Sequence, residues 1–369
     1  MAQDVQRFAP GRVNLIGEHT DYSGGLVLPV AIDLGTTVSG RADAARIVLR
    51  STAEGAVVEL AADGSSNGKP EGWGRYVAAI ARLLAERGRP PVGLVGEVDS
   101  TLPIGAGLSS SAALLVAVGF SLCDVAEFAI EPLELARLVR EAERVAVGVP
   151  CGLMDPAAII FARRGCALLL DCATAEHRPV PLPPELGIVV LDSGVRHRLS
   201  DSGYAARRAE LERALAAIGH RDASGLHAVE ATESAERVGL GGVEARRLRH
   251  VVTENERVRA CVAALESGRN VEEVLRRAFR AGHDSLRDDY EVSTPELDLL
   301  VELASDHGAI AARMTGGGFG GSVIALVDAQ DAAELADSVT KIYSDRTGRA
   351  GRGFVCAASD GVAARTTRG

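Results

Sequence analysis

Leu102-Pro-Ile-Gly-Ala-Gly-Leu-Ser-Ser-Ser-Ala-Ala-Leu114 bends through two glycines and enters an apolar helical pattern by way of three serines. The β-like run Val92–Val98 precedes it, so the stretch reads as strand, glycine turn and helix start. That order suits an anion. Glycines let backbone N–H groups close on a phosphate, the unpaired donors and dipole of a helix start favour negative charge, and serine hydroxyls add hydrogen bonds and a magnesium ligand. A plain capped helix after a turn also accounts for the serines, because serine is a good N-cap.

Working outward, short β-like runs at Thr36–Gly40, Arg46–Arg50 and Ala56–Leu60 flank helical patterns at Trp73–Arg87 and Pro132–Val147. Ala167–Leu170 and Ile188–Leu191 read as buried strands. Between them Arg178-Pro-Val-Pro-Leu-Pro-Pro-Glu185 removes donors and fixes extended backbone, which makes it the candidate domain boundary, with lobes at 1–177 and 178–369. A helical block follows at Tyr204–Ile218, Val251–Ser267, Val271–Leu286 and Pro295–Ala304. It closes on a strand, glycine turn and strand at Ile310–Leu326, then the helix Ala332–Tyr343.

The chain has 369 residues, 47% hydrophobic and 24% charged, which is the composition of a globular protein large enough for two lobes. A net charge of −10 argues against a nucleic-acid surface and favours a small substrate. Lys69 and Lys341 are the only lysines, and no Gly-Lys-Ser/Thr or Val-Ala-Ile-Lys motif is present. The six cysteines lack Cys-x-x-Cys or zinc-ligand spacing and read as reduced. Met1–Arg7 shows no basic-then-apolar pattern, and the longest apolar run, Ala112–Cys123, is shorter than the ~18 residues of a membrane span. A cytoplasmic enzyme, off the membrane and monomeric, is expected.

Three further segments carry candidate chemistry. Gly11-Arg-Val-Asn-Leu-Ile-Gly-Glu-His-Thr-Asp-Tyr22 sets Arg12, Glu18, His19 and Asp21 in a turn-rich stretch, a polar density suited to several hydroxyls or to a solvated loop. Cys151-Gly-Leu-Met-Asp-Pro156 places one acid at the start of the helical pattern Pro156–Phe161. Asp155 is there either the N-cap or a carboxylate for an attacking hydroxyl, with Arg12 as its expected partner. Met314-Thr-Gly-Gly-Gly-Phe-Gly-Gly-Ser322 contains Gly-x-Gly-x-x-Gly, but a strand pattern follows where a dinucleotide fingerprint requires a helix.

These four segments, in this order, resemble the GHMP small-molecule kinases, and within them the galactokinase family. Val251-Val-Thr-Glu-Asn-Glu-Arg257 and Ser285–Leu297 add to the likeness, which covers nearly the whole chain. The resemblance implies an α+β, two-lobed GHMP kinase fold, each lobe mixing sheet and helices, with the site between them. It implies transfer of the ATP γ-phosphate to O1 of a sugar, galactose. By the same likeness Pro103, Gly105, Gly107, Leu108, Ser109, Ser110, Ser111 and Ala112 would hold ATP, and Ser110 with Glu143 would ligate Mg²⁺. Asp155 and Arg12 would be catalytic, and Glu18, His19, Asp21, Gly152, Asp155 and Tyr204 would meet the sugar. Phosphoryl transfer needs alignment and charge stabilisation, so the scarcity of lysine is no obstacle.

This chain departs from the family pattern at Pro156 and Ala157, where a glutamine and a bulky residue are usual, and at Ser202-Gly203 before Tyr204, where a serine–glutamate pair is usual. A sugar 1-kinase acting on another hexose is therefore the alternative substrate reading. A non-catalytic sugar and ATP sensor is the alternative of another class. Such sensors have a shortened serine loop, whereas Ser109–Ala113 is complete.

Overall fold

The computed structural model describes residues 4–366 except 54, 67, 69, 104, 149–150 and 197–201. The chain runs out along β1 (Asp4–Asn14), turns through a short 3-10 helix (Asp21–Ser23) and β2 (Leu26–Val27), and returns along β3 (Pro29–Asp43). β4 (Arg46–Ser51), β5 (Val57–Ala61), α1 (Gly74–Glu86) and β6 (Gly93–Ser100) follow. Three helices, α2 (Ser110–Val125), α3 (Pro132–Val147) and α4 (Met154–Phe161), lead to β7 (Cys166–Asp171), β8 (His177–Pro181) and β9 (Leu186–Asp192). The helical block comprises α5 (Ser202–Ala217), α6 (Ala228–Arg237), α7 (Gly242–Ser267), α8 (Val271–Asp288) and α9 (Pro295–Asp306). β10 (Ala311–Thr315), β11 (Ser322–Asp328), α10 (Ala332–Thr347), β12 (Arg352–Cys356) and α11 (Val362–Thr366) complete it.

The first sheet has the order β1-β3-β6-β4-β5, antiparallel except for the β4/β6 pair. The second is the antiparallel β10-β11-β9-β12, and the third is β2-β7-β8. Alternate residues of β9 and β11 face opposite ways and both faces are covered. Ile188, Val190, Ile324 and Leu326 enter one core, and Val189, Leu191, Val323 and Ala325 enter the other. This double burial is why Ile188–Leu191 reads as an unbroken apolar run. The apolar helix α2 has the same cause, packed on β1, β3, α1, α3 and α4.

Two expectations change, and the proline-rich stretch gains a partner. Arg178–Pro181 is extended, as its prolines require, and belongs to β8, an edge strand pairing with β7, where prolines are tolerated. The Gly11–Tyr22 stretch, expected to be turn-rich, begins on β1, whose residues 9–14 are all buried, so the alternation that marks a half-buried strand is missing. The α7 helix extends back to Gly242 and serves both cores, Leu248, Val251 and Val252 in one and Val258, Cys261 and Val262 in the other. Among the described residues no helix is long and apolar enough to cross a membrane.

Candidate active site

Arg12 stands where β1 shifts register between Pro10 and Arg12, and its backbone N–H reaches the Leu108 carbonyl at 3.3 Å. Gly11 permits that approach, since a Cβ there would lie 2.4 Å from Leu102 Cδ2 and 2.8 Å from Leu108 O. The Arg12 guanidinium, 6% exposed with its residue, spans two segments. Nε and Nη2 donate to Asp155 Oδ1 and Oδ2 at 2.7 and 2.9 Å, and Nη1 donates to the Gly107 carbonyl at 2.7 Å. A planar fork matching a carboxylate in this bidentate way fixes orientation as well as charge. Asp155 lies inside the first turn of α4, whose N-cap is Leu153, so the N-cap alternative for this acid falls. Pro156 fits that turn, where a missing N–H leaves no bond unmade.

The serine loop differs from a simple cap. Gly105, Gly107 and Ser109 are left-handed at φ 73, 77 and 61°. For a serine this conformation costs about 1–2 kcal/mol. Ser109 occupies the N-cap position of α2 without making a side-chain cap bond, and its hydroxyl donates to Asp155 Oδ2 instead. Ser110 opens the helix, and it is Ser111 that donates to Glu143 Oε1. The family likeness pairs Ser110 with Glu143 as magnesium ligands, and Ser111, one helical step on, is the serine bonded to that carboxylate. The 314–322 turn closes on this loop, with Ser322 Oγ donating to the Ala106 carbonyl at 2.7 Å.

Glu18, His19, Asp21, Gly152 and Tyr204 converge beside Asp155. Glu18 Oε1 accepts the Gly316 N–H at 2.6 Å and Oε2 accepts from Asn14 Nδ2. Asn14 is in turn tied to Thr315, whose Oγ accepts the Asn14 N–H at 3.0 Å and donates to its carbonyl at 3.1 Å. Sequence reading assigned no role to Asn14 or Thr315, although both lie inside quoted segments. The His19 ring is held by protein at both nitrogens: Nε2 donates to the Gly317 carbonyl at 3.2 Å, and Nδ1 accepts from the Tyr22 hydroxyl at 2.9 Å. Burial, then His250, pulls the His19 imidazole down to about 3, consistent with a neutral ring. Tyr204, in the first turn of α5, has its ring centroid 5.5 Å from His19 and 5.4 Å from Tyr22. Gly152 packs its backbone on Asp21: a Cβ there would lie 1.6 Å from Asp21 Oδ2.

Carboxyl groups outnumber cations here. Burial first, then Asp155, raises both Asp21, to about 7, and Glu143. Burial likewise raises Glu18 against the pull of Arg313. Glu143 and the neighbouring serine hydroxyls are hard oxygen donors, and a divalent cation would relieve that crowding of negative charge. This fits magnesium, which binds through one or two carboxylates plus substrate phosphates rather than through an all-protein cage. Among the described residues no group of three or more His, Cys, Asp or Glu forms a dedicated cage.

The profile of the galactokinase galactose-binding signature matches residues 2–42, and those of the GHMP kinases N-terminal domain and C-terminal region match 75–163 and 260–345. A galactokinase of Chloroflexus aggregans is 43% identical over 96% of this chain and 92% of its own length. The chain belongs to the galactokinase family of GHMP kinases. Another galactokinase, from Thermococcus kodakarensis, is 38% identical over 96% of this chain and 98% of its own. The crystal structure of Lactococcus lactis galactokinase complexed with galactose superposes with a TM-score of 0.89 at 32% identity, covering 97% of this chain and 94% of that one. Mevalonate kinase of Methanococcus jannaschii, at 19% identity and a TM-score of 0.67, shares the GHMP fold. The α+β fold expected from the four segments is thus the fold observed, and the galactokinase family assignment accords with it.

Proposed function

We propose that this protein is an ATP-dependent galactokinase that transfers the γ-phosphoryl group to O1 of α-D-galactose, giving galactose 1-phosphate and ADP, and that it acts as a monomer. The observation carrying the reading is the Arg12 fork, which joins the Asp155 carboxylate to the carbonyl of Gly107 in the phosphate loop. Sugar hydroxyl and phosphate would meet on either side of that one guanidinium.

In this reading Pro103, Gly105, Gly107, Leu108, Ser109, Ser110, Ser111 and Ala112 enclose the ATP phosphates at the start of α2, Pro103 by shaping the turn and the others with backbone N–H groups and hydroxyls. Glu18, Asp21 and Tyr204 present acceptors and a donor to the sugar ring, with His19 packed behind them and Gly152 leaving room for Asp21. Asp155 accepts the O1 hydroxyl, aligning it for in-line attack. Arg12 and Ser109 hold that carboxylate from the opposite side, and Arg12 also faces charge developing on the transferred group. Glu143, to which Ser111 donates, and the Ser110 hydroxyl would hold Mg²⁺, which supplies charge neutralisation of the phosphates.

The test is ADP release against a panel of hexoses, with Asp155→Asn as control. Galactose should be the preferred substrate, and the asparagine enzyme should lose about 10²-fold or more in kcat. Faster turnover of another hexose refutes the substrate, and an undiminished Asp155→Asn enzyme refutes the mechanism.

A further inference from the structure

Val251–Arg257 contributed to the family likeness without acquiring a task, and in the fold it lies on α7, remote in sequence from the sugar signature. One face of α7 carries His250, Glu254, Asn255 and Val258 at helical spacing, and that face meets the 17–26 loop. His250 Nε2 lies 3.0 Å from the Glu18 carbonyl; a carbonyl can only accept, so the imidazole donates. Glu254 Oε1 accepts the N–H of Gly17 at 2.9 Å and that of Glu18 at 3.3 Å. Asn255 Oδ1 accepts the Leu26 N–H at 2.8 Å. Val258 closes under Gly17, its Cγ2 3.3 Å from where a side chain would start.

These contacts are made in a dry interior: His250 and Glu254 are 0% exposed and Asn255 is 1% exposed. Glu254 is itself fixed by Arg313, fully buried with it at 2.7 Å, and by Arg257 at 2.7 Å. Burial opposes its ionisation, but those two guanidinium groups hold the carboxyl well below the ordinary range. A fixed anion is thereby aimed at two backbone N–H groups of the sugar loop. The loop's flanks have their own anchors, through the Leu15–Leu28 and Leu28–Ile16 backbone bonds, and Thr20 Oγ ties Gly17 to Leu26 from within. What α7 adds is the placement of Gly17 and Glu18, between the flank and the residues facing the sugar.

We propose that His250, Glu254 and Asn255 are positioning residues for the sugar substrate: through the backbone of Gly17, Glu18 and Leu26 they set where Glu18 and Asp21 stand, without touching the sugar. The inference rests on the galactokinase reading of the loop. It makes the sugar side of the site depend on a helix that, among the described residues, makes no hydrogen bond to the phosphate loop. Damage to the α7 face should therefore raise the KM for galactose and spare that for ATP.

The experiment compares His250→Leu, which removes the donor, with His250→Gln, which offers an N–H at similar reach, on the full chain. Galactose is varied at saturating ATP and ATP at saturating galactose. The leucine variant should raise the galactose KM about tenfold and leave the ATP KM within about twofold, and glutamine should recover most of the loss. An unchanged galactose KM with a lowered melting temperature, an equal rise in both KM values, or glutamine no better than leucine overturns the proposal. Should His250→Leu fail to fold, Asn255→Ala against Asn255→Asp reads the same split through the Leu26 contact, with the same deciding results. If the wild type prefers another hexose, the KM split is measured on that sugar. The substrate reading then fails on the wild type alone, while the positioning role is judged on the variants.

Discussion

Replacing Gly152 by alanine should damage sugar binding selectively. Gly152 has no positive φ, so alanine suits its backbone and the penalty is steric. The added methyl would sit 1.6 Å from Asp21 Oδ2 and 2.3 Å from its Cγ. Non-bonded contacts require about 3 Å or more, so the Asp21 carboxylate must retreat by more than about 1 Å, enough to break a hydrogen bond to a sugar hydroxyl. Assayed above about pH 7, where Asp21 is charged, a hydrogen bond to it is worth about 1.5–3 kcal/mol. Its loss corresponds to a galactose KM raised roughly 10- to 150-fold. The three atoms nearest the methyl all belong to Asp21, so kcat should fall less than the specificity constant, and the ATP KM should hold. Initial rates of ADP release, with each substrate varied in turn, decide it. A galactose KM within twofold of wild type, or a matching rise in the ATP KM, would refute the role given to Asp21 and its contact with Gly152.

Three other outcomes follow from the site. Asp21 is raised from 3.8 to about 7, so the folded state holds its proton more tightly than the unfolded chain; the stability this contributes is full below about pH 4 and is lost as pH rises through about 7. The melting temperature of wild type relative to Asp21→Asn, without sugar, should therefore fall across that window, and a constant difference would contradict it. Ser322→Ala removes the bond to the Ala106 carbonyl and should raise the ATP KM about threefold to tenfold while leaving the galactose KM unchanged. Glu143→Gln keeps an acceptor for Ser111 but loses the charge, so half-maximal activity should need about tenfold more Mg²⁺; an unaltered magnesium titration would remove Glu143 from the metal site.

Local pattern carried much of the architecture. Pro132 at the start of α3, the apolar stripe of α1 and the unbroken run of β9 are all set by neighbours within a turn or two of chain. The strand pattern that follows the glycine turn, now β11, likewise excludes a dinucleotide fingerprint. Less legible were β1 and β3, long strands whose ends differ in exposure, and the two-residue β2, too short for any period to show. Helix α6, short and mostly exposed, carries too few buried residues to mark a core-facing stripe.

The candidate site divides in the same way. Motif chemistry singled out the serine loop, the Arg12 and Asp155 pair and the polar Gly11–Tyr22 stretch, because glycines, hydroxyls and acids clustered within a dozen residues record a local chemical need, and the family likeness supplied the roles expected of them. Only the tertiary structure decided that Ser109 serves Asp155 rather than the helix cap, that Ser111 is the hydroxyl on Glu143, and that His19 turns both nitrogens toward protein. It alone brought Glu254 to Gly17 and Arg313 to Glu254. The physical reason is range: backbone periodicity encodes which neighbours share a face, whereas a hydrogen bond between segments far apart in the chain leaves no spacing in either one.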